Sequence, residues 1–206
     1  MNTRESQQMC NFALRMKFQR IALFISGKGS NARNIMRYFQ NHPDISVSLV
    51  LSTVENTEMH QLCLERGIAF EQSGTFDSET YLSICRTHQI DWVILAGFLK
   101  KIPAAFVGAY PNRVINIHPA LLPNFGGKGM YGAHVHKAVA EARMPFSGIS
   151  IHFVNEEFDK GKLLAQFAVA LPHLASAERI EQEVRSLEIK HFPTVIEQVI
   201  RTTVTE

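Results

Sequence analysis

The sequence predicts an α/β fold built on a doubly wound, mostly parallel sheet, and three observations carry that reading. Short apolar runs alternate with helical stretches over the first two thirds of the 206 residues. With 46% hydrophobic and 19% charged residues, the chain can bury one large core. The polar side chains with chemistry to offer fall just after predicted strands or in loops, where open α/β sheets take their ligands.

The first apolar run, Arg20 to Ser26, ends in small residues and reads as a buried parallel strand. Residues 31–40 follow with Ile35, Met36 and Phe39 at helical spacing. A second strand is expected at 47–52. A helix at 58–66 stops at Gly67, and a short third strand covers 68–70. Asp77 or Ser78 suits the cap of a helix carrying Tyr81, Leu82 and Cys85. Trp92 to Leu95 is a fourth strand and Val114 to Ile117 a fifth. The stretch 120–132 is rich in glycine and lacks periodicity, so it reads as a long loop of the kind that often carries function. A helix at 133–142 precedes two β runs, 148–154 and 163–169, whose polar connection suggests an antiparallel hairpin. A terminal helix over 177–201 is expected to break near Pro193.

The expected organisation is a flexible extension over residues 1–19, with Met16 as an alternative start, and one catalytic domain over 20–206. The extension lacks the apolar segment of a signal peptide, and no apolar run is long enough to cross a bilayer. A formal charge of +2 argues against a general nucleic-acid binder. Cys10, Cys63 and Cys85 are odd in number and contain no CxxC pair, which points to reduced thiols in a cytoplasmic protein. His134 and His136 stand two apart on a helix and do not share a face, so no metal site is expected there.

Three motifs offer chemistry. Ser26-Gly27-Lys28-Gly29-Ser30-Asn31 joins a strand to a helix, where glycines and unpaired N–H groups suit an anion over Gly29, Ser30 and Asn31. It lacks the Gly-Lys-Ser/Thr ending of a Walker loop. In Asn116-Ile117-His118-Pro119, Asn116 and His118 have the same strand parity and can face one side. An amide donor beside an imidazole suits oxyanion stabilisation and proton movement. Asp159 lies in the polar turn 155–161, and it matters only if that turn folds back toward His118.

In this order, SGKGSN, LAGF (95–98), NIHPALLP, SGISIHFV (147–154), Asp159-Lys160-Gly161, and Glu188 with Phe192-Pro193 resemble the folate-dependent glycinamide ribonucleotide formyltransferases, over roughly residues 20 to 200. The resemblance implies a Rossmann-like formyltransferase fold and transfer of the formyl group of 10-formyltetrahydrofolate to the amine of glycinamide ribonucleotide. It implies catalytic roles for Asn116, His118 and Asp159, with Asp159 favouring the charged form of His118. Gly29, Ser30 and Asn31 match the substrate-phosphate grip, and Glu188 matches the acid at the ribose or glycinamide end. Leu99, Lys100, Lys101 and Ile102 match the folate-lining segment, to which Asn116 also belongs, and His152 matches a histidine near the active centre. The implied partners are small molecules, with no metal, nucleic acid or membrane, in a monomer or homodimer.

Two departures stand out. Ser78 occupies the position where relatives often carry an arginine that meets folate or substrate, and the segment 126–132 is longer than in many relatives. Lys128 there has the reach for a phosphate or carboxylate. Competing readings are a formyltetrahydrofolate hydrolase, which usually adds a regulatory domain, a formyltransferase for initiator tRNA, which usually adds an RNA-binding domain, and a non-catalytic nucleotide sensor.

Overall fold

The computed structural model describes residues 18–74 and 77–205. Seven strands form one sheet in the order β3-β2-β1-β4-β5-β6-β7. They are β1 (Gln19–Ile25), β2 (Ile45–Ser52), β3 (Ala69–Gln72), β4 (Trp92–Leu95), β5 (Val114–His118), β6 (Phe146–Phe153) and β7 (Leu163–Ala170). The first five pair in parallel, and the β6–β7 hairpin joins antiparallel to β5. The helices are α1 (Ser30–Tyr38), α2 (Thr57–Glu65), α3 (Ser78–Thr87), α4 (Ala104–Ala109), α5 (Ala133–Glu141) and α6 (Ala177–Thr205).

Both faces of the sheet are covered. One core packs Ile21, Leu23 and Ile94 of the sheet against side chains of α1, α2, α5 and α6. The other packs Phe24, Leu49 and Val93 against Tyr81 of α3 and Phe106 of α4. β1 and β4 are buried on both sides, which is why they read as continuous apolar runs. Each fully buried aliphatic or aromatic side chain here contributes roughly 1.5–3 kcal/mol. No helix of the described residues is long and apolar enough to cross a membrane.

Three expectations need correction. Residues 1–17 of the expected extension, with Cys10 and Met16, lie outside the described residues, but Gln19 opens β1. Its N–H donates to the Asp44 carbonyl at 2.8 Å, and its Oε1 accepts the Trp92 indole N–H at 3.1 Å. α4 had no counterpart in the sequence reading. Its six residues hold one buried side chain, Phe106, too few to create a period. α6 does not break at Pro193 but runs for 29 residues. Proline has no N–H to give the carbonyl four residues back. Asn34 of α1 supplies the missing donor, its Nδ2 reaching the Ile189 oxygen at 2.8 Å.

Candidate active site

β5 and β6 run antiparallel with Asn116 opposite His152 and His118 opposite Ser150. That register sets two imidazoles and a carboxamide at one end of the sheet, with His118 3% and His152 2% exposed. Ser150 pins the chain leaving β5: its hydroxyl donates to the Ala120 oxygen at 2.7 Å and accepts the Leu122 N–H at 2.9 Å. The chain then turns through Phe125, at φ 54°, whose carbonyl oxygen lies 2.8 Å from His118 Nε2. A carbonyl only accepts, so this nitrogen carries a proton.

Asp159 does fold back to the histidines. The turn after β6 carries it at φ 56°, a left-handed conformation that costs a non-glycine residue free energy. Its Oδ2 lies 3.5 Å from His118 Nδ1 and accepts the Gly127 N–H at 2.9 Å, while Oδ1 lies 3.6 Å from His152 Nε2. The two imidazoles thus flank one carboxylate, and the glycine-rich loop is tied to it. Gly161 closes the turn where a Cβ would stand 1.6 Å from the Phe153 oxygen, so no larger residue fits without moving the backbone.

Burial works against the charge of Asp159. The facing His152 and His118 rings and the Gly127 N–H outweigh it and hold the carboxyl below its ordinary value. Burial also pushes His118 below the ordinary imidazole value. Asp159 and the Phe125 carbonyl pull it up without restoring it. Asp159 thus pulls His118 toward its charged form, and burial of the imidazole outweighs that pull.

A cavity of about 680 Å³ runs from this cluster to the glycine-rich turn after β1. Ser26, Gly27, Ser30 and Asn31 line that end. Side chains of the preceding residues, Asn56 and Asp77, cap α2 and α3, but Gly29 precedes α1 and gives it no side-chain cap. Its first N–H groups lack an intrahelical acceptor at the mouth of a cavity, an arrangement suited to an anion. Gly29 itself, at φ 73°, faces Met59 and Ile25 and is not among the cavity-lining residues, so its part is conformational.

Glu188 of α6 lines the same end, and Asn31 Nδ2 donates to its Oε2 at 3.0 Å. Burial raises Glu188 above the ordinary carboxylate value, against the pull of Asn31 and Arg185. Leu99, Lys100, Lys101 and Ile102 line the wall after β4. Leu99 is half exposed, Ile102 is buried in the core, and Lys100 Nζ donates to the Gly74 oxygen at 2.6 Å. The main chain here is held by Ser26, whose hydroxyl accepts the Leu99 N–H at 3.1 Å. Ser78 is the first residue of α3 and does not line the cavity; Lys128 does.

Sequence reasoning set aside His136, yet it lines the cavity, 5% exposed, with Nδ1 unpartnered and its pKa lowered by burial. His134 points elsewhere and is exposed, as the two-residue spacing requires. Arg185 and Glu181 of α6 were also missed. They recur with Glu188 at one-turn spacings of 181, 185 and 188, a signal visible once Glu188 is taken as the anchor. Among the described residues no group of three His, Cys, Asp or Glu side chains is arranged to hold a metal ion.

Residues 19–196 match the family model described as formyl transferase. The chain is 38% identical over 190 residues to the chloroplastic phosphoribosylglycinamide formyltransferase of Arabidopsis thaliana, covering 86% of this chain and 64% of that protein. It is 31% identical over 194 residues to the phosphoribosylglycinamide formyltransferase of Bacillus subtilis, covering 88% of this chain and 95% of that one. Among solved structures, the phosphoribosylglycinamide formyltransferase of Anaplasma phagocytophilum superposes with a TM-score of 0.79 at 28% identity, over 90% of this chain and 89% of that chain.

Proposed function

The chain belongs to the formyl transferase family, and from that premise we propose that it transfers the formyl group of 10-formyltetrahydrofolate to the amine of glycinamide ribonucleotide in de novo purine biosynthesis. The observation that carries the reading is the convergence of Asn116, His118 and Asp159 on one cavity whose far end is the uncapped start of α1.

The substrate phosphate binds at the N–H groups of Ser30 and Asn31, and Glu188 meets the ribose or glycinamide end. The folate lies along residues 99–102, with Asn116 at its formyl group. That leaves the substrate amine facing the formyl carbon, so the nucleophile belongs to the substrate and the protein supplies no covalent one. The amine nitrogen bonds to the formyl carbon, and the carbonyl oxygen becomes an oxyanion that accepts an N–H of Asn116. Asp159, held ionised, takes the proton the amine sheds. The oxyanion re-forms the carbonyl as the bond from the formyl carbon to N10 breaks, and the proton held on Asp159 passes to N10 as the reduced folate leaves. His118 serves chiefly through Asp159. Its Nε2 proton is committed to Phe125 and its Nδ1 faces the carboxylate, so Asn116 is the donor free for the oxyanion. No step calls for a metal. The catalytic unit is a single domain that opens with β1 at Gln19, acting on small molecules in the cytoplasm as a monomer or homodimer.

The test is an assay of purified protein with 10-formyltetrahydrofolate, with and without glycinamide ribonucleotide. Loss of formyl-folate that depends on the ribonucleotide, with formylated product, is expected. Equal loss without it would instead make the protein a hydrolase.

A further inference from the structure

We infer that His152 is a positioning residue that fixes which way the Asn116 carboxamide points. The inference deepens the reading given above and rests on it. His152 Nδ1 lies 2.8 Å from the Phe153 carbonyl oxygen. That oxygen can only accept, so Nδ1 carries a proton, and a ring protonated at Nδ1 alone offers a lone pair at Nε2. Asn116 Nδ2 stands 3.1 Å from that lone pair. Only the nitrogen end of a carboxamide can donate there, so the ring selects one of the two flips of the amide. One N–H of Asn116 is spent on His152, and the second stays on the nitrogen for a developing oxyanion.

The alternative flip would be costly to the reaction. It would turn Oδ1 toward His152, two acceptors face to face, and would leave the position of the amide nitrogen unspecified. The pair is also built into the sheet, since residues 116 and 152 sit directly opposite each other on β5 and β6. Asp159 Oδ1 stands 3.6 Å from the same ring nitrogen, farther than Asn116 Nδ2 at 3.1 Å. His152 touches no reacting atom in this scheme; it acts through Asn116.

The experiment combines a double-mutant cycle with side-chain amide NMR on the full chain. His152→Phe keeps a ring and removes the acceptor; His152→Gln keeps an acceptor. His152→Phe should lower kcat about 10- to 100-fold, less than loss of an oxyanion donor itself, with KM for the ribonucleotide within about twofold. His152→Gln should recover most of that loss. Asn116→Ala combined with His152→Phe should be no slower than Asn116→Ala alone, because the histidine has nothing left to orient. The Asn116 side-chain amide signal, assigned by its disappearance in Asn116→Ala, should shift in His152→Phe and hold its position in His152→Gln. Additive losses in the cycle, or a native kcat in folded His152→Phe, would overturn the inference. If His152→Phe fails to fold, a His152→Gln enzyme as slow as Asn116→Ala overturns it equally. If the wild-type protein transfers no formyl group, the functional reading falls by itself. The amide signal then decides the positioning role, which an unmoved resonance in His152→Phe refutes.

Discussion

The β1–β4 side of the cavity joins a glycine-rich turn and a helix start to the wall formed by residues 99–102, and the β5–β7 side carries two imidazoles, a carboxamide and a carboxylate. On the first side, Gly27 lies in the turn before a helix that Ser30 and Asn31 start without a side-chain cap, and Ser26 holds the strand of backbone at Leu99. On the second, Asn116, His118 and His152 sit on neighbouring antiparallel strands, and Asp159 is delivered by the turn that joins β6 to β7. A parallel sheet naturally offers helix starts and loops beyond its strand ends. Antiparallel neighbours offer side chains set directly opposite one another. Under the proposed function, one half of the sheet binds and the other half reacts.

The strongest way to break that division is Asp159→Asn, which keeps the shape and removes the charge. Turnover should fall about 10³-fold, within the range for loss of a general base, while ribonucleotide affinity measured by calorimetry stays within about twofold. A parallel loss of affinity would mean the two halves are not separate. The reciprocal change is Gly29→Ala on the binding side. Its Cβ would stand 2.5 Å from the end of Met59 at φ 73°, a backbone region costing an L-residue about 1–2 kcal/mol. Phosphate-bearing ligands should bind about tenfold more weakly, a dephosphorylated analogue should change little, and kcat should hold.

Titration separates the halves again, with a smaller effect. His118 and His136 have lowered values in the folded protein, so below about pH 6.5 the unfolded chain takes up their protons first. Stability should therefore fall as pH drops from about 6.5 toward the folded values. His136→Gln should flatten that slope in urea denaturation series between pH 7 and 5. Glu188 has the opposite sign. Its raised value stabilises below about pH 4.5 and the contribution is lost as pH rises through the folded value. Glu188→Gln should consequently be no less stable than wild type at pH 7, while weakening ribonucleotide binding. The smallest effect expected is Asn34→Ala, which strands the Ile189 carbonyl and should cost about 0.5–1 kcal/mol by chemical denaturation.

Much of this was legible in the sequence where the signal is local. The Trp92–Leu95 strand is pure apolar run, and the Asp77 cap donates its pattern through a single side chain accepting the Thr80 N–H. That Asn116 and His118 can face one side follows from strand parity, while their roles came from the family resemblance. What stayed hidden depends on pairing between distant segments. Nothing local to Asn116 or His152 reveals that they face each other, because that is a matter of β5–β6 register. The return of Asp159 depends on a turn with a left-handed non-glycine residue, which pattern rules disfavour. The net lowering of His118 needs the depth of burial, which no motif states. Pro193 misled for the same reason: the carbonyl it leaves unpaired, at Ile189, is met by Asn34, 155 residues away from it.

That compensation reaches further than one hydrogen bond. Asn34 lies on the same short helix as Ser30 and Asn31, so the turn proposed to grip the phosphate and the weak point of the last helix share a single rigid body. Opening α6 at Ile189 would release that body, and clamping the body would hold α6 shut. A ligand seated at the first helix should thus slow the deuterium uptake of backbone amides around residues 189–193, a segment close to the chain's other end.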